Sequence, residues 1–428
     1  MSQRRRILLV AHHCNPEWGS EPLIGWRWAH HLSRQAEVTL VTHVRNRPAL
    51  ERAEGAPPTI HYVDTEKLAA RVNWINSHLW AKAAVVNKSL LEIVSLNAFD
   101  KAACRIAEPL CAQGAIDLIH RVSPISPRAR TRLGSLGVPF VLGPVNGGMR
   151  TAPGFLSVAR RERAWAQALR PLARLFDPFQ RTFRDARSVL SANRTTLSVI
   201  PERDQARTTL MCENAVEVDQ FEPVYARSGP TLRLLYLGRL LPYKGVEYAL
   251  RALARLPQDL DVRLDVVGDG ADRARLEGIA AELELGARVA FHGACAVDEV
   301  PGWMKGCDLF LLPSVRESGG SVNLEAMACG KPALVAGHGG PAETVDESVG
   351  RVLPATSEAD LIAALSAAIE ELARDEKMRE RLGRAARAHI ERHYTWAGKA
   401  ARALELYEEL LGGGRPDSGP EATQRRAA

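Results

Sequence analysis

Short apolar runs alternate with helical patterns along most of the 428-residue chain, and this alternation constrains the fold more than any other feature. Parallel strands joined by helices produce it, because such strands are buried on both faces and each crossover needs a helix. The runs that read as strands are Ile7–Ala11, Val38–His43, Ile60–Val63, Ile116–His120, Phe140–Leu142, Ser188–Ser191, Leu232–Leu237, Arg263–Val267, Arg288–Phe291, Leu309–Leu312 and Ala333–Ala336. The pattern predicts an α/β protein with doubly wound, Rossmann-like sheets.

The series of strands restarts near Leu232, after a polar stretch with two prolines, so we predict two domains. The first domain would cover residues 1–217 and the second would cover residues 231–395. Residues 218–230 would form the linker between them. The helical pattern over 396–411 is expected to cross back to the first domain, and 412–428 to form a disordered tail. Two such domains would face a central cleft at the carboxyl ends of their strands.

Cysteine usage and hydropathy argue against several classes of protein. The seven cysteines are scattered and lack paired metal-ligand spacing, which is typical of a reducing cytoplasm and not of a disulfide framework or structural zinc. The apolar run after Arg4-Arg5-Arg6 is shorter than a signal peptide requires, and no run approaches the length of a membrane span. We therefore expect a cytoplasmic protein.

The net charge of +6 is unevenly distributed along the chain. Residues 1–214 contain 30 basic and 17 acidic residues, whereas the remainder contains 26 and 33. The densest basic segment, Arg150–Arg194, suits an anionic membrane surface or a phosphorylated acceptor, and a solvated surface is the alternative. No nucleic-acid motif accompanies the charge, so we expect no nucleic-acid partner.

Two carboxylates, Glu317 and Glu325, flank a small-residue turn that reads as a helix start. We predict that Glu317 precedes the helix and that Glu325 lies inside it. The backbone N–H groups of Ser318 to Val322 would then form an anion site at the helix N-terminus. Taken alone, the pair could be an acid/base couple of the glycosidase type or two clamps for hydroxyl groups.

Two cations follow the first strand of the second half. Arg239 and Lys244 lie in the predicted strand-to-helix loop, at the carboxyl end of the sheet. Fixed cations in that position suit a diphosphate, and an ordinary polar loop is the alternative.

These motifs together resemble the C-terminal domain of the family 4 (GT4) retaining glycosyltransferases, which have the GT-B fold. Gly-Arg…Lys-Gly, Val-x-Phe-x-Gly, Glu-x7-Glu and Gly-Gly-Pro-x-Glu follow in the family's order from about Leu232 to Leu353. The resemblance implies that Arg239 and Lys244 bind the diphosphate of a nucleotide sugar and take the place of a metal, so neither metal nor cofactor is expected. Four further roles follow from the resemblance: the backbone of Ala290 would contact the base, Glu325 the ribose, Glu317 the transferred sugar, and the amides of Ser321 and Val322 the phosphate or sugar.

The first half matches the family more loosely. The resemblance places Gly19, in the loop after the first strand, near the donor, and it places His120, at a strand end, beside the donor sugar. A structural histidine is the alternative for His120. Glu21 and the glycines Gly147 and Gly148 are expected on the acceptor side, whereas His12 and His13 are expected to pack at a strand end.

The chain departs from the family at Ser318-Gly-Gly-Ser321, where Ser-Phe-Gly-Leu is usual. The resemblance implies a retaining, metal-independent transfer from a nucleotide-diphosphate sugar. The basic first half suggests a glycan or polyprenyl-linked acceptor in surface polysaccharide synthesis, at the inner face of the membrane. The alternatives are a non-transferring GT-B enzyme such as a sugar-nucleotide epimerase, and an inactive nucleotide-sugar-binding protein.

Overall fold

The computed structural model describes residues 4–67, 70–71, 84–161, 180–225 and 229–412. The chain divides into two compact units. Among the described residues, the first unit contains 4–148, 180–213 and 396–412, and the second contains 149–161 and 214–395. Residues 226–228 of the predicted linker, 413–428 of the predicted tail and 162–179 of the basic segment lie outside the described residues.

The first unit is built on a parallel sheet that, within the described residues, has seven strands in the order β3-β2-β1-β4-β5-β6-β7. The strands are β1 Arg6–Ala11, β2 Glu37–His43, β3 Thr59–Val63, β4 Leu118–Ser123, β5 Phe140–Val145, β6 Ser188–Ser191 and β7 Thr208–Leu210. β1, β4 and β5 lie at its centre and are almost entirely buried, as the continuous apolar runs predict.

The helices of the first unit connect these strands. They are α1 Glu21–Ser33, α2 Arg47–Arg52, α3 Ala84–Ala112, α5 Gln180–Arg184, α6 Arg194–Leu197, α7 Glu202–Gln205 and, at the end of the chain, α15 Trp396–Leu411. α15 is held in this unit by a buried lysine, because Lys399 Nζ donates a hydrogen bond of 2.6 Å to the carbonyl of Cys212. The indole of Trp396 packs edge-on against that of Trp28, with ring centroids 6.2 Å apart.

The second unit repeats this architecture around a parallel sheet in the order β10-β9-β8-β11-β12-β13, six strands within the described part of the chain. The strands are β8 Leu232–Leu237, β9 Val262–Val267, β10 Val289–Gly293, β11 Leu309–Leu312, β12 Ala333–Ala336 and β13 Gly350–Leu353. The helices are α4 Leu156–Arg161, α8 Val246–Ala254, α9 Arg273–Glu282, α10 Val300–Gly306, α11 Ser321–Ala328, α12 Pro341–Thr344, α13 Glu358–Arg374 and α14 Glu376–His393.

Two segments of the predicted first domain, residues 149–161 and 214–217, belong to the second unit. Residues 149–161, here called the strap, were expected in the first domain but pack on the second unit. Phe155 and Val158 are fully buried in the core of that unit, and the Phe155 ring meets Tyr248 with centroids 5.4 Å apart. The N–H of Ala152 donates to the carbonyl of Val315 at 3.1 Å. Apolar burial therefore holds the strap in the core of the second unit.

The predicted α/β class with two parallel Rossmann-like sheets is confirmed, and each predicted strand is present. Two short strands, β7 and β13, were not predicted. The prediction for β4 was displaced, because the strand begins at Leu118 and runs to Ser123, three residues beyond the predicted end at His120.

Candidate active site

The loop that follows β8 carries the two predicted cations, Arg239 and Lys244, and buried contacts fix its backbone. The buried hydroxyl of Tyr236 donates a 2.9 Å hydrogen bond to the carbonyl of Arg239. Gly245, with φ +74°, closes the loop, and a Cβ there would lie 2.1 Å from the carbonyl oxygen of Pro313. Only glycine tolerates both the left-handed backbone and this approach, and α8 begins with the next residue, Val246.

Lys244 and Glu317 lie in contact. Lys244 Nζ forms an ion pair with Glu317 Oε2, and the two side chains are 14% and 15% exposed. Glu317 is in the loop after β11, so the pair joins the carboxyl ends of two adjacent strands. The residue predicted to bind phosphate and the residue predicted to bind the sugar are therefore neighbours.

Glu325 lies inside α11, as predicted, and Glu317 precedes that helix. The helix begins at Ser321 after Gly320, so Ser321 and Val322 are its first two residues and their N–H groups belong to its N-terminus. Glu325 as a whole residue is partly buried, and desolvation of its carboxyl group by the surrounding protein raises the pKa to about 7.

The Gly339-Gly340 turn packs against the backbone that carries Glu317. A Cβ on Gly339, whose φ is +76°, would lie 2.1 Å from the carbonyl oxygen of Glu317. A Cβ on Gly340 would overlap the carbonyl of Ser318. The two glycines therefore fix the loop of Glu317 by close backbone approach.

Ala290 lies on β10, which is the edge strand of the second sheet. β10 pairs with β9, where Ala290 lies opposite Asp265, and within the described residues its other side has no partner strand. Its other edge offers backbone donors and acceptors of the kind that could pair with a base edge.

The first unit contains the remaining predicted residues. Gly19 is exposed in the loop after β1, with no atom within 4 Å of a Cβ built on it. Glu21 is the first residue of α1, and its Oε1 accepts a 2.9 Å hydrogen bond from the N–H of Ile125, just after β4. Gly147 and Gly148 follow β5. These residues therefore lie beyond the carboxyl ends of the central strands.

The prediction that His120 lies beside the donor sugar was wrong. His120 is fully buried in the middle of β4. Its Nε2 donates to the carbonyl of Gly143 at 2.7 Å, and its Nδ1 accepts from the hydroxyl of Tyr407 at 2.6 Å. Both nitrogens are thus used inside the protein, and burial lowers the pKa to about 4, so the ring is a neutral structural histidine.

The prediction that His12 packs at a strand end is confirmed. It is buried at the end of β1, its ring meets Phe99 edge-on at 4.7 Å, and burial lowers its pKa to about 2. The more exposed His13 joins it through a contact of 3.1 Å between ring nitrogens.

Sequence reasoning missed three residues of the site. The guanidinium of Arg316 stacks over the ring of Tyr243 at 4.0 Å, and the hydroxyl of Tyr243 accepts a 3.2 Å hydrogen bond from Arg239. Arg316 directly precedes Glu317 and Tyr243 directly precedes Lys244, so adjacency to the motifs could have indicated both. Arg150 of the strap accepts a 2.8 Å hydrogen bond at its carbonyl from His338, and no local signal reveals that contact.

The sequence contains one Asp-x-Asp triplet, Asp259-Leu260-Asp261, a pattern that can serve a metal-bridged diphosphate. It precedes β9 and so lies at the amino edge of the sheet, opposite the loops described above. Asp259 pairs with Arg374 at 3.2 Å, and Asp261 accepts from Thr231 at 2.5 Å. Within the described residues no group of His, Cys, Asp and Glu forms a candidate metal site. Metal independence stays a prediction.

All seven cysteines are free thiols. Among the described helices, none is both long and apolar enough to cross a membrane.

Residues 219–389 match the model of the family described as Glycosyl transferases group 1. The chain is 33% identical over 221 residues to a D-inositol 3-phosphate glycosyltransferase of Streptomyces bingchenggensis, covering 47% of each protein. Sucrose-phosphate synthase from Thermosynechococcus elongatus superimposes over 96% of this chain and 100% of its own, with a TM-score of 0.63 and 21% identity. HepE from Anabaena, in complex with UDP and glucose, superimposes over 95% and 100%, with a TM-score of 0.58 and 18% identity.

The two parallel-sheet units and these structural neighbours define a protein of the GT-B fold. Residues 219–389, which match the group 1 glycosyltransferase family, contain the motifs that carry the resemblance to the GT4 family. The chain spans about half the length of the curated relatives that it matches first.

Proposed function

We propose that this protein is a retaining, metal-independent glycosyltransferase that moves a sugar from a nucleotide-diphosphate sugar to a hydroxyl of a glycan or lipid-linked acceptor. The contact between Lys244 and Glu317 carries the proposal, because it brings a cation predicted to bind phosphate next to a carboxylate predicted to bind the sugar. A site that bound only the nucleotide or only the sugar would not need both the cation and the carboxylate.

The donor would occupy the carboxyl edge of the second sheet. Its diphosphate would draw Lys244 away from Glu317, freeing the carboxylate to accept a sugar hydroxyl, and exposed Arg239 would add a second cation. The ribose hydroxyls would donate to Glu325, and the base would pair with the open edge of β10. HepE, which binds UDP and glucose, supports a nucleotide of this kind.

In the proposed step the acceptor oxygen bonds to the anomeric carbon as the bond from that carbon to the diphosphate oxygen breaks on the same face. The diphosphate leaves with the bonding electron pair, and the acceptor proton passes to a departing phosphate oxygen. Arg239 and Lys244 stabilise the charge that develops there. A net gain of about 3 kcal/mol from such cations corresponds to roughly a hundredfold in rate.

The acceptor is proposed to be a growing surface glycan on a polyprenyl carrier, in the synthesis of exopolysaccharide, capsule or lipopolysaccharide. The excess of basic residues in the first half supports contact with an anionic inner membrane surface. Two arginines of the dense segment are engaged in ion pairs within the protein, Arg161 with Glu247 at 3.3 Å and Arg184 with Asp185 at 3.2 Å. Flotation with anionic and with neutral vesicles tests this proposal: binding to anionic vesicles at low salt is expected, and no binding there would contradict it.

A panel of nucleotide sugars screened by thermal shift would identify the donor, since a ligand that binds the folded state raises its melting temperature. With that donor, Lys244→Ala and Glu325→Ala are expected to weaken binding, whereas Glu317→Ala is expected mainly to lower turnover. Wild-type donor turnover in Lys244→Ala would contradict the diphosphate role.

Two other functions make different predictions for the same assay. An epimerase would turn over the donor without any acceptor. A nucleotide-sugar-binding protein would bind the donor and show no turnover. The presence of Arg239, Lys244, Glu317 and Glu325 together favours transfer over the inactive alternative.

A further inference from the structure

A pocket of about 430 Å³ lies in the second unit, and its lining contains none of the residues predicted to bind the donor, although Asp265 in the lining lies opposite Ala290 in the β9–β10 pair. It is lined by the first half of β8, the middle of β9 and the helix α10, including Arg233, Asp265 and Trp303. Its volume is within the range of small-molecule sites, roughly 300–1,000 Å³. The donor loop begins at Gly238, five residues beyond Arg233, which is roughly 16 Å along a strand.

Hydrogen bonding and ring packing hold two of the side chains that line the pocket, Asp265 and Trp303, in place through His292. Asp265 Oδ1 accepts a 2.7 Å hydrogen bond from Nε2 of His292, which fixes both side chains on the face of the sheet. The imidazole of His292 also packs on the indole of Trp303, with ring centroids 4.6 Å apart. The guanidinium of Arg233 is exposed and makes no hydrogen bond or ion pair with any described residue. It is therefore available to a ligand.

The charges of the lining select the kind of ligand. Two carboxylates, Asp265 and Glu299, and one guanidinium, that of Arg233, line the pocket, and the imidazole of His292 contacts Asp265, so there is no excess of positive charge. A phosphorylated ligand would meet both carboxylates and is disfavoured. A neutral molecule rich in hydroxyls suits the site, because carboxylate and guanidinium groups form strong hydrogen bonds with hydroxyls and an indole packs on apolar C–H faces.

We propose that this pocket is a second saccharide-binding site, with Trp303 as the platform for a pyranose ring and with Asp265 and Arg233 as hydroxyl partners. It would hold a neutral segment of a glycan at a distance from the donor site. That the ligand is a saccharide rests on the chemistry of the lining. That the saccharide is the enzyme's own glycan rests on the proposed function.

Two glycines at the pocket allow it to be blocked without strain. Gly302 and Gly306 of α10 are exposed, and a Cβ built on either meets no atom within 4 Å. A longer side chain at Gly302 would therefore extend over the pocket rather than into the core. Gly278 of α9 is an exposed helical glycine in the same unit with equally open surroundings, and it does not line the pocket. It provides a matched control.

The test is saturation-transfer NMR with maltose, cellobiose, lactose and gentiobiose up to tens of millimolar, with and without a nucleoside diphosphate that fills the donor site. We expect at least one disaccharide to bind the wild type and Gly278→Gln equally, with the nucleotide present. Binding should weaken at least tenfold in both Gly302→Gln and Trp303→Ala. The proposal is overturned if no disaccharide binds the wild type, or if Gly302→Gln binds as well as the wild type does.

The same samples separate this proposal from the proposed function. Gly302→Gln is expected to leave nucleotide affinity unchanged, because Gly302 lies outside the donor loops. A protein that binds disaccharides at Trp303 but no nucleotide sugar would contradict the proposed function and leave this site standing.

Discussion

At the scale of single residues, the two glutamates of the site differ in what surrounds them. Glu317 is paired with Lys244, whereas the pKa of Glu325 is raised to about 7 by desolvation. Between its ordinary value of 4.5 and about 7, folded Glu325 keeps a proton that the unfolded chain has released. Its contribution to the free energy of unfolding is therefore present at low pH and is lost as the pH rises through that window.

Binding of the donor should depend on pH through Glu325. An ionised carboxylate accepts hydrogen bonds from ribose hydroxyls more strongly than a neutral acid, so affinity is expected to fall severalfold as the pH drops from about 8 to about 6. Titration calorimetry with the best nucleotide sugar of the panel measures it. Glu325→Gln should bind more weakly and lose this dependence; an unchanged pH profile in that variant would contradict the assignment.

His120 provides the opposite case, a residue whose chemistry suggests catalysis but whose contacts are structural. His120→Gln is expected to lower the free energy of unfolding by about 1–3 kcal/mol, because it disturbs buried hydrogen bonds to Gly143 and Tyr407. The kcat/KM of the folded variant should stay within a few-fold of wild type. Urea denaturation and a turnover assay measure the two quantities. A hundredfold loss of kcat/KM with unchanged stability would restore a catalytic role.

At the scale of elements, the sequence predicts strands well and their ends less well. The apolar runs indicated the central strands because those strands are buried on both faces. β4 was cut short at His120 because Arg121 reads as exposed, whereas its guanidinium is buried and donates to the carbonyl of Ala129 at 2.8 Å. The strap was assigned to the wrong unit because its position depends on contacts with Tyr248 and Val315, which no local pattern encodes.

The Gly339-Gly340 turn packs against the loop that carries Glu317, and this contact between two loops can be tested. Gly339→Ala is expected to displace the loop of Glu317, since the added Cβ would lie 2.1 Å from that residue's carbonyl oxygen. We predict a stability loss of about 1–3 kcal/mol and a larger fall in kcat than in nucleotide affinity. Thermal melting and donor titration test this, with Gly278→Ala as the control. Wild-type kcat in Gly339→Ala would show that this contact does not position Glu317.

At the scale of the whole molecule, the two units carry different parts of the predicted chemistry. Arg239, Lys244, Ala290, Glu317 and Glu325 all lie in the second unit, and their grouping followed from motif order in the sequence. The first unit carries Gly19 and the acceptor-side residues, which were predicted from looser matches. The GT-B fold could thus be predicted from the sequence, whereas the contact between Lys244 and Glu317 required the structure.

This division of the predicted site residues between the two units predicts which elements a bound nucleotide protects from hydrogen exchange. A nucleoside diphosphate without its sugar should slow hydrogen exchange most in the loops after β8 and β11 and along β10, because those elements would contact it. Hydrogen-exchange mass spectrometry of the full chain measures this, with Lys244→Ala as the control that should lose the protection. Protection centred on the first unit would contradict the placement of the donor.

Retaining, metal-independent transfer is tested most directly by NMR of the reaction with the identified nucleotide sugar and an acceptor, in the presence of EDTA. We expect release of the nucleoside diphosphate together with a glycosidic product that has the anomeric configuration of the donor, and loss of both in Lys244→Ala. Inversion at the anomeric carbon, or conversion of the donor to its epimer without an acceptor, would contradict it.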